Sequence, residues 1–155
     1  MIITEAIRSQ YHTFDPETSC FLDFFSEPEG SRILEVGAHD SPISKMLAES
    51  GFDVESIDLR PYDFPIVEGH HHYVGDFLNF HGGQECYDCI VSISAIEHMG
   101  LGTYREGMEL RMGDVIAMRN IWNLLRDGGT CYISVPFGGR YVEYHPDWRV
   151  YDWSS

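Results

Sequence analysis

Four short stretches of this 155-residue chain set acidic residues or a histidine at or beside the end of an apolar run. They are Glu35-Val36-Gly37-Ala38-His39, Asp58-Leu59, Asp76-Phe77 and Ser94-Ala95-Ile96-Glu97-His98. Glu97-His98 is the pair suited to moving a proton. Imidazole titrates near neutrality, so His98 could serve as a general base on an acceptor hydroxyl, with Glu97 orienting it. A second reading, of equal weight, has the pair only shaping a pocket. Two other clusters carry weaker chemistry. His70-His71-His72 with His81 suggests a metal site, but consecutive strand residues point to opposite faces, so the three cannot converge, and solvated loop histidines are the simpler reading. Cys86-x-x-Cys89 lacks a second pair and its second cysteine falls inside an apolar run, which reads as core rather than redox or zinc chemistry. No metal site is expected.

The elements that must hold these residues follow from apolar periodicity. Residues 32–36 form a short apolar run of the kind a strand covered on both faces requires. Asp40 or Ser41 and Pro42 suit a helix start, and a helix over 42–50 has Ile43, Met46 and Leu47 on one face and Gly51 as its stop. Residues 52–58 alternate as a second strand, 72–76 read as a third, 87–94 as a fourth and 130–135 as a fifth. A helix from about 105 or 113 to 126 presents Val115, Met118, Trp122 and Leu125 as one core-facing stripe, and Gly128-Gly129 ends it. Residues 1–30 read as a peripheral helical segment starting at Asp15-Pro16-Glu17-Thr18, with residues 31–136 as the core and 137–155 as an irregular aromatic tail. Strands alternating with helices predict an α/β fold, a doubly wound, mostly parallel sheet of about five strands in a single domain over 1–155. Ligands of such sheets bind at the carboxyl ends of the strands, where the four stretches lie.

Ten basic against twenty-five acidic residues give a formal net charge of −15, and Lys45 is the only lysine. That balance repels phosphate backbones and anionic lipid, so neither nucleic acid nor a membrane is an expected partner. No signal-like or membrane-length apolar run occurs, and four irregularly spaced cysteines do not make a disulfide framework, so a cytoplasmic setting is expected.

The strand-end set resembles the class I, Rossmann-like S-adenosylmethionine-dependent methyltransferases. Glu35-Val36-Gly37 is similar to their first motif, Asp58 to the acidic residue ending strand two, and Asp76-Phe77 to the acidic and apolar pair after strand three. Residues 87–92 with Ile96-Glu97-His98 match the fourth-strand region, and Leu124-Leu125-Arg126-Asp127-Gly128-Gly129 the approach to strand five. The resemblance spans roughly residues 30 to 136 and implies S-adenosyl-L-methionine as cofactor. It implies that Gly37 lets the backbone approach the methionine part, with Ala38 and His39 completing the turn, and that Glu35 holds the turn and its cation. It further implies that Asp58, with Leu59 beside it, accepts from both ribose hydroxyls, that Asp76 takes the adenine amino group under Phe77, and that Ser94, Ala95 and Ile96 line the methionine side. His39 stands where the family has a second glycine. The family's terminal antiparallel hairpin is expected to be missing, as in a chain cut short, which leaves strand five as a sheet edge that a second chain or the tail would cover.

The function expected is methyl transfer to a small-molecule or carbohydrate-like acceptor, with His98 and Glu97 as catalytic candidates. A catalytically inactive binding or scaffold domain on the same fold is the alternative. A nicotinamide dehydrogenase is weaker, because Gly37 is the sole glycine where a pyrophosphate needs two.

Overall fold

The computed structural model describes residues 3, 9, 11, 15–80, 86–104 and 109–155. In chain order the elements are α1 (Pro16–Phe24), β1 (Arg32–Val36), α2 (Ile43–Glu49), β2 (Asp53–Asp58), β3 (His70–Val74), β4 (Tyr87–Ile93), α3 (Gly113–Leu124), β5 (Leu125–Ser134), β6 (Val142–Tyr144) and β7 (Trp148–Val150). The first five strands form one parallel sheet in the order β3-β2-β1-β4-β5. After β1 the chain winds outward through β2 and β3, then crosses back to β4 on the other side. The strand order therefore reverses between β1 and β4, and a crevice must open there at the carboxyl ends.

Alternation along the central strands divides the core in two. Ile33, Val54, Cys89 and Val91 face Phe21, Leu22, Ile43, Met46 and Leu47 of α1 and α2. Leu34, Val36, Ile57 and Ile90 face Ala117, Ile121 and Leu124 of α3. This is the doubly wound arrangement expected, with helices on both faces. Strict alternation of strand and helix does not hold: among the described residues, only a 3-10 turn, Phe77–Asn79, lies between β3 and β4, and no helix lies between β2 and β3.

Several local expectations shift. The third strand starts at His70 and ends at Val74, not at Asp76, because His70 and His72 pair with β2 and both share hydrogen bonds with Ser56 Oγ at 2.8 Å. These are strand histidines on one face, and His70 is buried rather than solvated. His81 lies outside the described residues, as does the earlier start of the third helix at Arg105.

The stripe on α3 is also different. Val115, Met118 and Trp122 are exposed, Trp122 to 80%, and the buried face carries Gly113, Ala117, Ile121 and Leu124. Close packing selects that face: a Cβ on Gly113 would stand 2.5 Å from the Met99 carbonyl oxygen, so only the small-residue side can approach the preceding loop. Leu125 is already the first residue of β5, and Gly128-Gly129 lies in a register shift between β4 and β5 instead of ending the helix.

α1 is not peripheral. Asp15 caps it by accepting from the Glu17 and Thr18 N–H groups at 2.8 Å, and Phe21 and Leu22 are fully in the core. Of residues 1–14, only Ile3, Ser9 and Tyr11 are described, and Ile3 and Tyr11 are buried. The tail is ordered rather than irregular. β6 and β7 form an antiparallel hairpin separate from the main sheet, and Phe137 bridges to Tyr151. No helix among the described residues is long and apolar enough to cross a membrane.

Candidate active site

A cavity of about 420 Å³ opens at the β1–β4 reversal, within the range that holds drug-sized ligands. Of the residues singled out from the sequence, it brings together Gly37, Asp58, Leu59, Asp76, Phe77, Ser94 and His98. Glu35, Ala38, His39, Ile96 and Glu97 do not line it. Each has a place that explains why.

Gly37 follows β1 with φ of +84°, a backbone conformation that side chains disfavour. Its N–H donates to the Ile57 carbonyl, and a Cβ built on it would meet Ala95 Cβ at 2.3 Å. The glycine is thus required by contact between the two strand ends that frame the crevice. Glu35 is fully buried under the turn, where its carboxylate accepts from the backbone N–H of Ser44 at 2.8 Å and from the Ser44 hydroxyl. It holds the start of α2 against β1. Burial pushes its pKa up to about 7, against the pull of the serine hydrogen bonds. Ala38 and Ile96 are core side chains.

His39 turns away from the cavity. Its Nδ1 donates to the Pro61 carbonyl at 2.5 Å, and its backbone N–H donates to Asp58 Oδ2 at 3.2 Å. His39 therefore leaves the cavity clear and helps fix Asp58. Arg60 completes that carboxylate's shell through its backbone N–H at 2.9 Å and its Nε at 3.2 Å, both on Asp58 Oδ1. Asp76 caps the Phe77–Asn79 turn by accepting from the Leu78 N–H at 2.9 Å, which sets Phe77 on the cavity wall.

Beyond β4 the backbone is strained. Ser94 has φ of +46°, a left-handed conformation rare for a non-glycine residue, and its hydroxyl donates to Glu17 at 2.7 and 2.8 Å. Glu97 follows in a buried 3-10 turn, 2% exposed, with Oε2 lacking a partner among the described residues. Desolvation raises its carboxyl to about 7, with the charge of Glu17 adding to the effect. Glu97 Oε1 is 3.9 Å from His98 Nε2, too far for a hydrogen bond, so it does not orient the ring as expected. The Asp147 carbonyl does so, accepting from His98 Nδ1 at 2.6 Å. A carbonyl only accepts, so Nδ1 carries the proton and the neutral ring keeps its lone pair on Nε2.

Asp147 belongs to the turn of the β6–β7 hairpin, and the hairpin is fastened by Arg149. That side chain is 2% exposed and donates through Nη1 to the carbonyls of Glu97 at 3.3 Å and Met99 at 2.8 Å. Its Nε faces Asp114 of α3 at 3.5 Å and Glu143 of β6 at 3.3 Å. Thr103 adds a hydroxyl bond to the Asp147 carbonyl at 2.9 Å. The hairpin thus clamps the loop that carries His98.

Sequence reading missed two groups that reach the cavity: Asp15, Glu17 and Thr18 at the start of α1, and Arg60 after β2. The helix-start signal at Asp15 is visible, but nothing local shows that Glu17, in the first turn, meets Ser94 from 77 positions away. Five carboxylates, those of Asp15, Glu17, Asp40, Asp58 and Asp76, now border the space. Such a lining favours a cationic ligand with a polar sugar-like part, and the apolar Ile57, Leu59, Phe77 and Leu78 suit a flat ring.

The family model described as "Caenorhabditis protein of unknown function, DUF268" matches residues 69–153. No curated protein matches the chain by sequence. Solved structures match its fold. A chain from the complex of the Haloferax volcanii Trm112 methyltransferase activator with a proposed methyltransferase superposes with a TM-score of 0.65 at 15% identity, over 86% of this chain and 58% of that one. The Burkholderia thailandensis 1,6-didemethyltoxoflavin-N1-methyltransferase, solved with 1,6-didemethyltoxoflavin and S-adenosylhomocysteine, gives 0.63 at 15% identity, over 97% and 61%. The Haemonchus contortus phosphoethanolamine N-methyltransferase 2, in complex with S-adenosyl-L-methionine, gives 0.62 at 16% identity, over 81% and 29%. This chain spans less than two thirds of the length of each. The fold is that of the class I methyltransferases.

Proposed function

We propose that this chain, which belongs to the DUF268 family, Caenorhabditis protein of unknown function, is an S-adenosylmethionine-dependent methyltransferase acting on a small-molecule acceptor. The observation that carries the reading is the cavity itself: an acidic, half-apolar crevice at the strand reversal of a methyltransferase fold. The residues present fit the cofactor's chemistry. Asp58, held by His39 and Arg60, keeps a lone pair on Oδ2 for a ribose hydroxyl, and Asp76 with Phe77 forms a polar and apolar pair for an adenine ring. The ring of carboxylates matches a sulfonium and an ammonium in sign. Two of the structural neighbours hold S-adenosylhomocysteine or S-adenosyl-L-methionine on this fold, which supports the same choice here.

When bound, S-adenosylmethionine would supply an electrophilic methyl group for the acceptor's lone pair, with its sulfur as the leaving group. The protein's part is to bind, orient and take a proton. His98, ring fixed by Asp147, offers Nε2 to the acceptor's proton, and most of the rate comes from in-line positioning. The buried Glu97 precedes His98 in the same 3-10 turn.

One observation favours the second reading, a binding domain without turnover. Asp58 Oδ1 already accepts two hydrogen bonds from Arg60. Calorimetric titration of S-adenosylhomocysteine into the wild-type chain and into Asp58→Asn tests both. Wild-type binding that falls at least tenfold in the variant supports the cofactor assignment. Absence of wild-type binding overturns it, and binding without methyl transfer to any of a panel of small nucleophiles moves the chain to the second reading.

A further inference from the structure

Arg60 is the only permanently cationic side chain among the described residues that line the cavity, set among five carboxylates in a chain of net charge −15. Its surroundings use only part of it. The Nε edge meets Asp58 at 3.2 Å, and the guanidinium plane lies over the Tyr104 ring, 4.4 Å from the centroid. Guanidinium has five N–H donors, so the four on the two Nη atoms remain, and they meet no acceptor among the described residues. Stacking on an aromatic face fixes the plane and orients the fork, which is the arrangement that recognises planar oxyanions by paired hydrogen bonds.

Tyr104 also connects this fork to the proton acceptor. Its ring centroid lies 6.0 Å from that of His98, so one wall of the cavity reads His98, Tyr104, Arg60 in a row. Thr103 and Gly102 continue the same wall. The carboxylates come from the start of α1, from the end of β2 and from the segments that follow β1 and β3, and of the five only Asp58 bonds Arg60.

Resting on the methyltransferase reading, we propose that the acceptor carries an anionic group, a carboxylate or phosphate, gripped by the Nη edge of Arg60, with its nucleophilic atom toward His98 Nε2. A cationic cofactor then occupies the acidic side and an anionic acceptor the Arg60 side. The two ligands are sorted by charge within one crevice, and Asp58 keeps Arg60 in place between them.

The test uses the whole chain and two simple probes, inorganic phosphate and acetate, at ionic strength held constant with sodium chloride. Binding is read by calorimetry and by the melting temperature, with and without saturating S-adenosylhomocysteine. The expected result is phosphate or acetate binding that persists beside S-adenosylhomocysteine and weakens at least tenfold in Arg60→Gln. Because Arg60 Nε also bonds Asp58, affinity for S-adenosylhomocysteine is measured in the same variant, and the loss of anion binding must exceed any loss of cofactor binding. The anion with the larger Arg60-dependent affinity separates a phosphate-bearing acceptor from a carboxylate-bearing one. Should Arg60→Gln fail to fold by circular dichroism, Arg60→Lys keeps the charge while losing the fork, and the expected loss is at least fivefold. Unchanged anion binding in either folded variant overturns the inference, as does absence of anion binding by the wild-type chain. Anion binding that S-adenosylhomocysteine displaces assigns the fork to the cofactor side and also overturns it. Arg60-dependent anion binding by a chain that binds no S-adenosylhomocysteine leaves the fork standing and removes the methyltransferase reading beneath it.

Discussion

Arg149→Ala is expected to unfasten the His98 loop, and the structure sets the size of the effect. The guanidinium is 2% exposed and donates to two carbonyls, those of Glu97 and Met99, which straddle His98. It also stands against Asp114, which is 14% exposed, and Glu143, which is 41% exposed. Glu143 rehydrates easily once its partner is gone and contributes little. Asp114 and the two carbonyls do not, and removing one member of a buried, hydrogen-bonded charge pair costs about 3–5 kcal/mol. A two-stranded hairpin is marginal by itself, so the loss emerges as release of β6–β7 and of the loop beneath it before global unfolding. Native-state hydrogen exchange is therefore the assay. The amides of Met99 and Leu101, which donate to Ile96 and His98, should lose roughly a thousandfold in protection, since about 4 kcal/mol corresponds to three decades. Arg149→Lys, which keeps the charge without the planar fork, should fall between the two. Protection within fivefold of wild type in Arg149→Ala would refute the clamp.

Glu97 predicts a pH dependence of known sign. Its folded value of about 7 lies above the ordinary 4.5, so the stability it confers is full below about 4.5 and is lost as pH rises through 7. Wild type should lose about 3 kcal/mol of urea unfolding free energy relative to Glu97→Gln between pH 4.5 and 8, at 1.36 kcal/mol per unit; a pH-independent difference contradicts it. Gly37→Ala should cost about 3 kcal/mol, from a left-handed backbone plus a Cβ driven into Ala95 Cβ at 2.3 Å, which cannot rotate aside. A change under 1 kcal/mol by chemical denaturation would show that the two strand ends separate freely.

Much of the frame was legible along the chain. The runs at 32–36, 52–58 and 87–94 became β1, β2 and β4 within a residue or so, because a short apolar stretch flanked by breakers has few other ways to bury itself. The strand-end positions of Asp58, Ser94 and Gly37 followed from that, and all three line the crevice. The face of α3 was not legible. Two apolar stripes share that helix, and the choice between them was made by Gly113 fitting against Met99, a contact absent from any periodicity. The tail failed for a related reason. Its strands are three residues each, too short to show a pattern, and Arg149 looks like a surface charge until the carbonyls of Glu97 and Met99 close on it.

A parallel sheet with its ligand site at the carboxyl ends of the strands was readable from the chain, since apolar runs and the acidic residues that close them are local properties. What surrounds that site came from the fold. Glu17 arrives from 77 positions before Ser94, Asp147 from 49 positions after His98, and Arg60 stacks on the Tyr104 ring from a separate loop. Contacts of that span cost loop-closure entropy and exist only when the whole core has closed, so no stretch of sequence carries their signal.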